Sequence, residues 1–280
     1  MNKLTVEERA RILSCLVEGN SIRATCRMTG AAKGTVIRLV ENVGEACIRF
    51  QDKAYRNLTC SNVQCDEIWS FCYAKERNVP ENLKGQFGVG DVWTWVAMDA
   101  DTKLVFSWML GGRDANYALD FMRDVEKRLK NRVQLTTDGH KAYLKAIEDV
   151  FGTDIDYAVL VKIYGADQIG PARYSPPYCV GTEKKPQLGN PDLTKVSTSF
   201  VERQNLTMRM NMRRMTRLTN AFSKKVQNLE YAMALHFMYY NFCRSQQKKN
   251  KNRALGITPA MAAGLADHQW QVGEIVQLLP

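Results

Sequence analysis

The order of hydrophobic patterns along the chain predicts an α/β domain preceded by an all-helical segment. Three β-rich stretches follow one another (65–75, 91–100 and 103–112), and helical and extended patterns then alternate. The first fifty residues instead show apolar side chains at helical spacing only. A chain of 280 residues, of which 45% are hydrophobic, is long enough for about two globular domains.

Three short helical patterns make up residues 1–50. The first begins after Thr5, and the second begins after Asn20 or Ser21, all residue types that cap helix starts well. The second pattern ends at Gly30, and the third carries its apolar residues on one face. Helix, short helix, glycine-containing turn and longer helix is the order of a helix-turn-helix DNA-binding domain.

In this interpretation the third helix is the recognition helix. Lys33, Thr35 and Arg38 then lie at its exposed start, where base and phosphate contacts are made. The alternative is an unrelated three-helix bundle. The positive charge farther along the chain favours DNA binding.

Residues 65–245, after a linker at 51–64, complete the α/β pattern. Helices are predicted at 114–131, with Asp114 as the N-cap, and at 141–152; strands are predicted at 132–140 and 155–165. Three consecutive strands followed by helix, strand, helix and strand is the order of a ribonuclease-H-like fold. We therefore expect a mixed five-stranded sheet with flanking helices.

The remaining segments are one expected loop, two helices and a tail. The Gly- and Pro-rich residues 166–198 are expected to form an inserted loop, which at that length is usually functional or mobile. Helical patterns resume at 200–217 and 221–244, and the second is apolar enough to lie in a core. Residues 246–280 are expected to form a basic C-terminal tail.

The charge of the chain favours a polyanionic partner. The formal net charge is +10 and the sequence pI is about 9.2. Between Ser199 and Arg253 the only acids are Glu202 and Glu230, against a long set of basic residues. The basic positions are 203, 209, 213, 214, 217, 224, 225, 244, 248, 249, 251 and 253. Nucleic acid, here double-stranded DNA, is the simplest partner.

The sequence also predicts the cellular compartment of the protein. The amino terminus, "MNKLTVEERARILS", lacks the apolar core of a signal peptide, and no apolar run reaches membrane-spanning length. We expect a cytoplasmic protein with no membrane partner. The eight cysteines form no CxxC pair, and the spacing of Cys60, Cys65 and Cys72 matches no standard zinc site, so reduced thiols are expected.

Three acids occupy special places in the predicted fold. Asp66 lies in an apolar strand, Asp138 ends the fourth strand and Glu202 opens a basic helix. In a ribonuclease-H-like sheet the first and fourth strands are neighbours, so the three carboxylates can converge. Carboxylates packed together repel one another unless they bind protons or cations, and their hard oxygens suit Mg²⁺. The alternatives are a turn residue at 138 and a first-turn charge at 202.

The helix "FVERQNLTMRMNMRRMTRL" combines this glutamate with arginines. Glu202, Asn205, Arg209 and Arg213 fall on one stripe because residues three and four apart share a helix face. We expect the glutamate to bind metal and the polar residues around it to hold the DNA backbone. The expected DNA-binding residues of this segment are Arg203, Asn205, Arg209, Arg213, Arg214 and Arg217.

Three blocks of sequence resemble the catalytic blocks of transposases of the insertion sequence one family, which are DDE recombinases of bacterial mobile elements. They are "CDEIWSF", "TTDGHKAY" and "FVERQNLTMRMNMRRMTRLTNAFSKK". The resemblance covers roughly residues 60 to 245 and implies that Asp66, Asp138 and Glu202 are the catalytic, metal-binding triad. It further implies Mg²⁺, or Mn²⁺ in its place, and cleavage of DNA strands at terminal inverted repeats.

In such a family the freed 3′-hydroxyl attacks target DNA, and a homo-oligomer pairs two element ends. Two features depart from the pattern: the interval from Asp138 to Glu202 is long, and no cysteine-rich finger precedes the helix-turn-helix. Two other hypotheses compete with a transposase. One is a catalytically silent DNA-binding regulator, and the other is a nuclease without strand transfer.

Overall fold

The computed structural model describes residues 4–165, 179–217, 219–245 and 256–280. Three helices open the chain: α1 (Val6–Val17), α2 (Ile22–Thr29) and α3 (Lys33–Ala54). Thr5 caps α1 and Ser21 caps α2, and Gly30 ends α2 in the left-handed conformation with a φ of 75°. These caps confirm the starts and the stop predicted for the first two helices.

A six-stranded mixed sheet forms the centre of the fold. Its strands are β1 (Asn62–Cys72), β2 (Gly90–Asp99), β3 (Val105–Gly111), β4 (Gln134–Thr137), β5 (Asp156–Tyr164) and β6 (Cys179–Leu188). The strand order is β3-β2-β1-β4-β5-β6. Strands β1 to β3 form an antiparallel meander, and β4 and β5 run parallel to β1. The fold is therefore α/β and ribonuclease-H-like, as the sequence predicts.

The sixth strand corrects the expectation of a five-stranded sheet and of a loop throughout 166–198. Strand β6 pairs antiparallel with β5 at the edge of the sheet. Most of its side chains are exposed, so it lacks the apolar alternation by which strands are recognised. Pro186 also argues against a strand in a sequence, although an edge strand tolerates it. Residues 166–178 lie outside the described part of the chain.

Helices cover both faces of the sheet. They are α4 (Ala115–Arg128), α5 (Ala142–Phe151), α6 (Ser199–Asn211), α7 (Val226–Met238), α8 (Pro259–Ala262) and α9 (Val272–Val276). The predicted N-cap of α4, Asp114, accepts two backbone hydrogen bonds. Helix α6 ends six residues earlier than predicted, because Met212 is extended and a 3₁₀ turn follows at Arg213–Met215. No helix in the described ranges is long and apolar enough to cross a membrane.

The alternation of side chains along β1 divides the apolar interior into two clusters. Cys65 packs with Phe121 of α4 and Tyr143 of α5, whereas Ile68 packs with Val201 of α6 and with α7. Asp66 therefore belongs to the face covered by α6 and α7, because neighbours two apart on a strand share a face. All eight cysteines are free thiols, as expected, and five of them are buried.

The amino-terminal helices share the larger cluster with the sheet. Helix α3 continues past residue 50, so the expected linker at 51–64 contains the last turn of α3 and the beginning of β1. Within that turn, Gln51 donates to the carbonyl of Ala234 (2.9 Å) and accepts from the indole of Trp108 (2.9 Å). The amide of Gln51 thus joins α3 to α7 and β3.

The carboxyl-terminal residues also pack against this cluster. Ala260, Ile275 and Val276 are buried, and α9 contacts α1. Residues 256–280 are therefore a structured part of the fold rather than the expected tail, and they contain no lysine or arginine. The basic positions predicted for the tail, 248 to 253, lie outside the described residues.

The contact between α3 and α7 depends on a glycine. A Cβ on Gly44 would lie 2.4 Å from the Cβ of Tyr231 and 2.6 Å from its Cα, whereas a Cβ on Gly34 of the same helix meets nothing within 4 Å. We predict that Gly44→Ala lowers the free energy of unfolding by about 1–3 kcal/mol through overpacking. Gly34→Ala is the matched control and should be neutral or stabilising by up to about 1 kcal/mol. Urea denaturation of both variants checks this, and equal effects would contradict the close packing.

Candidate active site

The register of the central strands brings two of the predicted acids level with each other. Strands β1 and β4 pair in parallel, and the last pair is Gln64 with Thr136. Two residues beyond this pair, Asp66 still lies in β1 and Asp138 lies just past the end of β4. The backbone N–H of His140 donates to the Asp138 carboxylate (2.9 Å), which holds the side chain in a tight turn.

Helix α6 carries the third acid and is attached to β1 on either side of it. The side-chain oxygen of Gln64 accepts hydrogen bonds from the backbone N–H groups of Phe200 (3.0 Å) and Val201 (3.2 Å). One turn later the amide of Asn205 donates to the Asp66 carboxylate (2.8 Å). Glu202 lies between these two attachment points, so it shares the surroundings of Asp66.

The charges of the three acids act on one another. The pKa of Asp66 is raised to about 7, first by burial and then by the charges of Glu67, Asp138 and Glu202. A hydrogen bond from the backbone of Glu67 opposes this shift only in part. Asp66 is thus a carboxylate whose ionised form is costly without a nearby cation.

A lysine that the sequence analysis missed neutralises the glutamate. The ammonium of Lys162, on β5, lies 2.5 Å from the Glu202 carboxylate, and the hydroxyl of Thr198 donates to the same oxygen. Burial works against the charged lysine, but the hydrogen bond and the negative charge of Glu202 raise the pKa of Lys162 overall. Lys162 therefore compensates the charge of Glu202 in this structure.

The residues fit a hard divalent cation in their chemistry, although they are not gathered around one position. Among the described residues, no three His, Cys, Asp or Glu side chains are grouped closely enough to hold a metal ion. The donors are nevertheless carboxylate oxygens, which Mg²⁺ and Mn²⁺ prefer. The buried side-chain oxygen of Asn205 has no hydrogen-bond partner in the described structure, so it is one more hard oxygen beside Asp66.

Glu67, the acid next to Asp66 in the sequence, is held by contacts with neighbouring side chains. Glu67 faces the other side of the sheet, where its carboxylate pairs with Arg113 (2.6 Å) and accepts from the hydroxyl of Tyr143 (3.2 Å). The guanidinium of Arg113 in turn stacks on the ring of Trp93. Glu67 therefore has a fixed cationic partner. Its position in the sequence, one residue from Asp66, was sufficient to assign it to the opposite face.

The polar residues of α6 and of the turns that follow it do not all face solvent as expected. Arg203, Arg213 and Arg217 are exposed and available to a polyanion. Asn205 is only 8% exposed and is committed to Asp66, which corrects the expectation that it contacts DNA. Arg209 and Arg214 are partly buried and also make internal hydrogen bonds, described below.

The three residues expected at the start of the recognition helix lie in the first two turns of α3. Lys33 is the first residue of α3, and Lys33 and Arg38 are both exposed. Thr35 is partly exposed. The buried side chains of this helix, from Val36 to Gln51, pack on the remainder of the protein, so Lys33 and Arg38 belong to its exposed face.

No family model and no curated protein matches the chain in sequence. Solved structures that show some similarity to the chain include a piggyBac transposase synaptic complex with hairpin DNA, at 10% identity and a TM-score of 0.44 over 100% of this chain and 72% of that one. They also include a Mos1 strand transfer complex, at 14% identity and a TM-score of 0.25 over 84% and 76% of the two chains. A Mos1 mariner paired-end complex with Mn is similar at 14% identity and a TM-score of 0.20, over 53% and 58%.

The buried charge of Asp66 makes stability depend on pH. Its folded-state pKa of about 7 lies above the ordinary value of 3.8, so the folded state binds the proton more tightly than the unfolded state does. The wild-type protein therefore loses stability as the pH rises through this window. We predict that Asp66→Asn melts at least about 2 °C higher than wild type at pH 8, and that the difference shrinks towards pH 4.

Thermal denaturation at the two pH values measures this effect. The matched control is Asp149→Asn, which removes an exposed acid on α5 and should show no such pH dependence. Mg²⁺ should stabilise the wild type more than Asp66→Asn, because only the wild type retains the charge that the ion offsets. Identical melting of Asp66→Asn and wild type at pH 8 would contradict the assignment.

Proposed function

We propose that the protein is a DNA transposase of the DDE type, acting on the ends of an insertion sequence. The observation that supports this best is the placement of Asp66: a largely buried carboxylate, near Asp138 and Glu202, beneath α6, with the exposed Arg203, Arg213 and Arg217 on that helix and on the turn after it. Such a site is suited to phosphoryl transfer, because its acids can hold a cation while the arginines hold phosphates. The sequence blocks around these acids resemble the insertion sequence one family, which the proposal follows.

In this proposal Asp66, Asp138 and Glu202 hold Mg²⁺, with Mn²⁺ as a substitute. Bound there, the ion would activate an attacking hydroxyl and stabilise the leaving oxygen of an in-line displacement at phosphorus. Asn205 positions Asp66 through its amide, and Gln64 positions Glu202 by fixing the first turn of α6. These two amides keep the acids in place whether or not a cation is present.

Double-stranded DNA is the proposed partner, both as element ends and as target. The exposed Lys33, Thr35 and Arg38 read the terminal repeat, and the exposed Arg203, Arg213 and Arg217 bind backbone phosphates near the acids. Strand transfer requires two ends to be joined to one target, so the active form is a homo-oligomer that pairs them. The cytoplasm, where the DNA of a bacterial element lies, is the proposed compartment.

A catalytically silent DNA-binding regulator is the second candidate. The ion pair between Lys162 and Glu202 favours it, because an ammonium already compensates the charge that a metal would compensate. In that case the helices of residues 4–54 bind DNA and the acidic site does no chemistry. The two candidates differ in whether the protein cuts the DNA that it binds.

We predict that Asp138→Asn abolishes metal-dependent nicking of the DNA that flanks the protein's own gene. Loss of a metal-binding carboxylate should lower the nicking rate at least about a thousandfold, while binding of the same duplex is unchanged. Nicking is measured on a labelled duplex with Mg²⁺ or EDTA, and binding by fluorescence anisotropy in EDTA. Asp149→Asn, on the exposed face of α5, is the control and should cut as wild type does.

The outcomes separate the candidates. Nicks that need both Mg²⁺ and Asp138, followed by joining of the 3′-hydroxyl end to a second duplex, support a transposase. Nicks without joining would indicate a nuclease. Tight binding by the wild type without any nick would replace the transposase with the regulator.

The first turns of α3 provide a separate prediction about end recognition. We expect Arg38→Gln to weaken binding to the element end and to reduce the slope of log K against log salt by about 0.9, the value for one lost phosphate contact. Lys53→Gln is the matched control, because Lys53 is also exposed but lies fifteen residues further along α3, about 22 Å away. Equal effects of the two substitutions on binding would contradict a recognition role for the start of α3.

A further inference from the structure

A cavity of about 270 Å³ lies beyond the acidic site, along the second half of β1. Strand β4 pairs with β1 only as far as Gln64, and the chain around Ser223 bridges β1 again at Cys72. The cavity lies against the stretch between these two pairings, and it is lined by Trp69 to Phe71 of β1 and by residues 214–217, 219, 220 and 222. None of the residues that line it is needed by the carboxylate chemistry described above.

Aromatic rings form one side of the cavity. The ring of Phe71 lies 5.7 Å from that of Trp69 and 4.8 Å from that of Phe222, centroid to centroid. All three side chains are only partly buried, so part of their surface faces the cavity. A row of partly exposed aromatic rings is a stacking surface for planar groups, and every nucleic-acid base has such a face.

Four cations line the same cavity: Lys75, Arg209, Arg214 and Arg217. Within residues 4–165, 179–217, 219–245 and 256–280, no carboxylate forms an ion pair with any of them. The pKa of Arg209 is lowered to about 10, by burial and then by the like charge of Arg217. Cations that lie close together without a neighbouring acid repel one another, and a bound anion would reduce that repulsion.

Two of these cations are fixed by the backbone and by a hydroxyl. Arg209 donates to the carbonyls of Trp69 (2.6 Å) and Met215 (2.8 Å), and Arg214 donates to the hydroxyl of Ser223 (2.7 Å). A guanidinium has five N–H donors, so both retain donors for a phosphate. Arg217, by contrast, is exposed at the mouth of the cavity.

Helix α6 places this cavity one turn from the acidic site. Asn205 binds Asp66, and Arg209, four residues later and about 6 Å further along the helix axis, binds the carbonyl of Trp69. Trp69 and Phe71 alternate with Asp66 and Ile68 along β1, so their rings lie towards the other face of the sheet, and a DNA strand that passes Asp66 would reach them over the edge of β1 that β4 leaves open beyond Gln64. A base stacked inside a duplex cannot reach the aromatic rings without leaving the stack.

We propose that this cavity binds one unpaired nucleotide of the DNA strand that is cut. Its base stacks on Trp69, Phe71 and Phe222, and its phosphate is held by the arginines. The proposal rests on the proposed function, because it makes the cavity part of the same DNA path. Because the bound nucleotide is unpaired, the proposal requires the two DNA strands to separate at the element end, next to the cleavage position.

The test measures binding of single-stranded DNA in EDTA, so that it does not depend on cleavage. The probe is fluorescein-labelled oligothymidylate of about 12 nucleotides, a length that a single-strand binding site commonly spans. Phe222→Leu and Arg217→Gln are each expected to weaken binding about tenfold, whereas Lys127→Gln, an exposed cation on α4, should bind as wild type does. Arg217 has no packing role that would endanger folding, so its variant keeps the test valid if Phe222→Leu fails to fold.

A second probe of the same length without bases identifies what the rings contact. Wild type and Phe222→Leu should bind this abasic strand equally, while Arg217→Gln should still bind it more weakly. Overturning results would be wild-type affinity of both variants for oligothymidylate, or an equal loss by Phe222→Leu on both probes. Binding of free thymidine monophosphate as tightly as the oligonucleotide would also overturn the assignment to a DNA strand. Absence of nicking by the wild type would count against the proposed function but would leave this binding result intact.

Discussion

Two hydrogen bonds to the side-chain oxygen of Gln64 join the first turn of α6 to the central strand, and the candidate site depends on them. The first N–H groups of a helix have no partner within it, and Thr198 does not cap α6 because its hydroxyl donates to Glu202. Gln64 supplies the missing acceptor from β1, and it is itself only 3% exposed. The capping requirement of the helix is thus met by the strand that carries Asp66. Their relative position is fixed before any ligand is present.

This fixed position has an electrostatic consequence. With α6 attached to β1, Asp66 is buried among the charges of Glu67, Asp138 and Glu202, and a carboxylate there is costly to ionise. Among the described residues, Glu67 is paired with Arg113 and Glu202 with Lys162, whereas no ion pair is formed by Asp66 or Asp138. Asp66 instead accepts hydrogen bonds from the amide of Asn205 and from the backbone N–H of Glu67. Charge without a cationic partner therefore remains at Asp66, the carboxylate to which α6 is attached. A divalent cation would gain most at that point, and Lys162 would have to yield its place on Glu202.

The sequence was sufficient to predict the strands and acids that follow apolar patterns, but not the contacts made by polar side chains. Periodicity predicts strands β1 to β5, and capping preference predicts the caps at Thr5 and Asp114. Strand order predicts that Asp66 lies beside Asp138. Strand β6 was missed because its exposed position needs no apolar face. Lys162 was missed because its meeting with Glu202 depends on how far β5 extends beyond β4, which no local pattern records. The contact joins a strand to a helix, so it depends on where α6 crosses the sheet, which is set by the whole fold.

The polar stripe on α6 shows the same limit of sequence patterns, because its spacing is predicted correctly but the surface that it contacts is not. Helical spacing places Glu202, Asn205 and Arg209 on one face, and they do share a face in the structure. That face, however, is turned towards β1: it meets Lys162 of β5, the carboxylate of Asp66 and the carbonyl of Trp69. Periodicity indicates that polar residues face a common partner, but it does not say which partner. A buried strand with unpaired polar groups can fill that role, and so can a phosphate backbone. The edge of β1 beyond Gln64 supplies such groups, so the stripe faces inward as far as Arg209. Arg213, the fourth residue of the predicted stripe, is exposed because α6 ends before it, at Asn211.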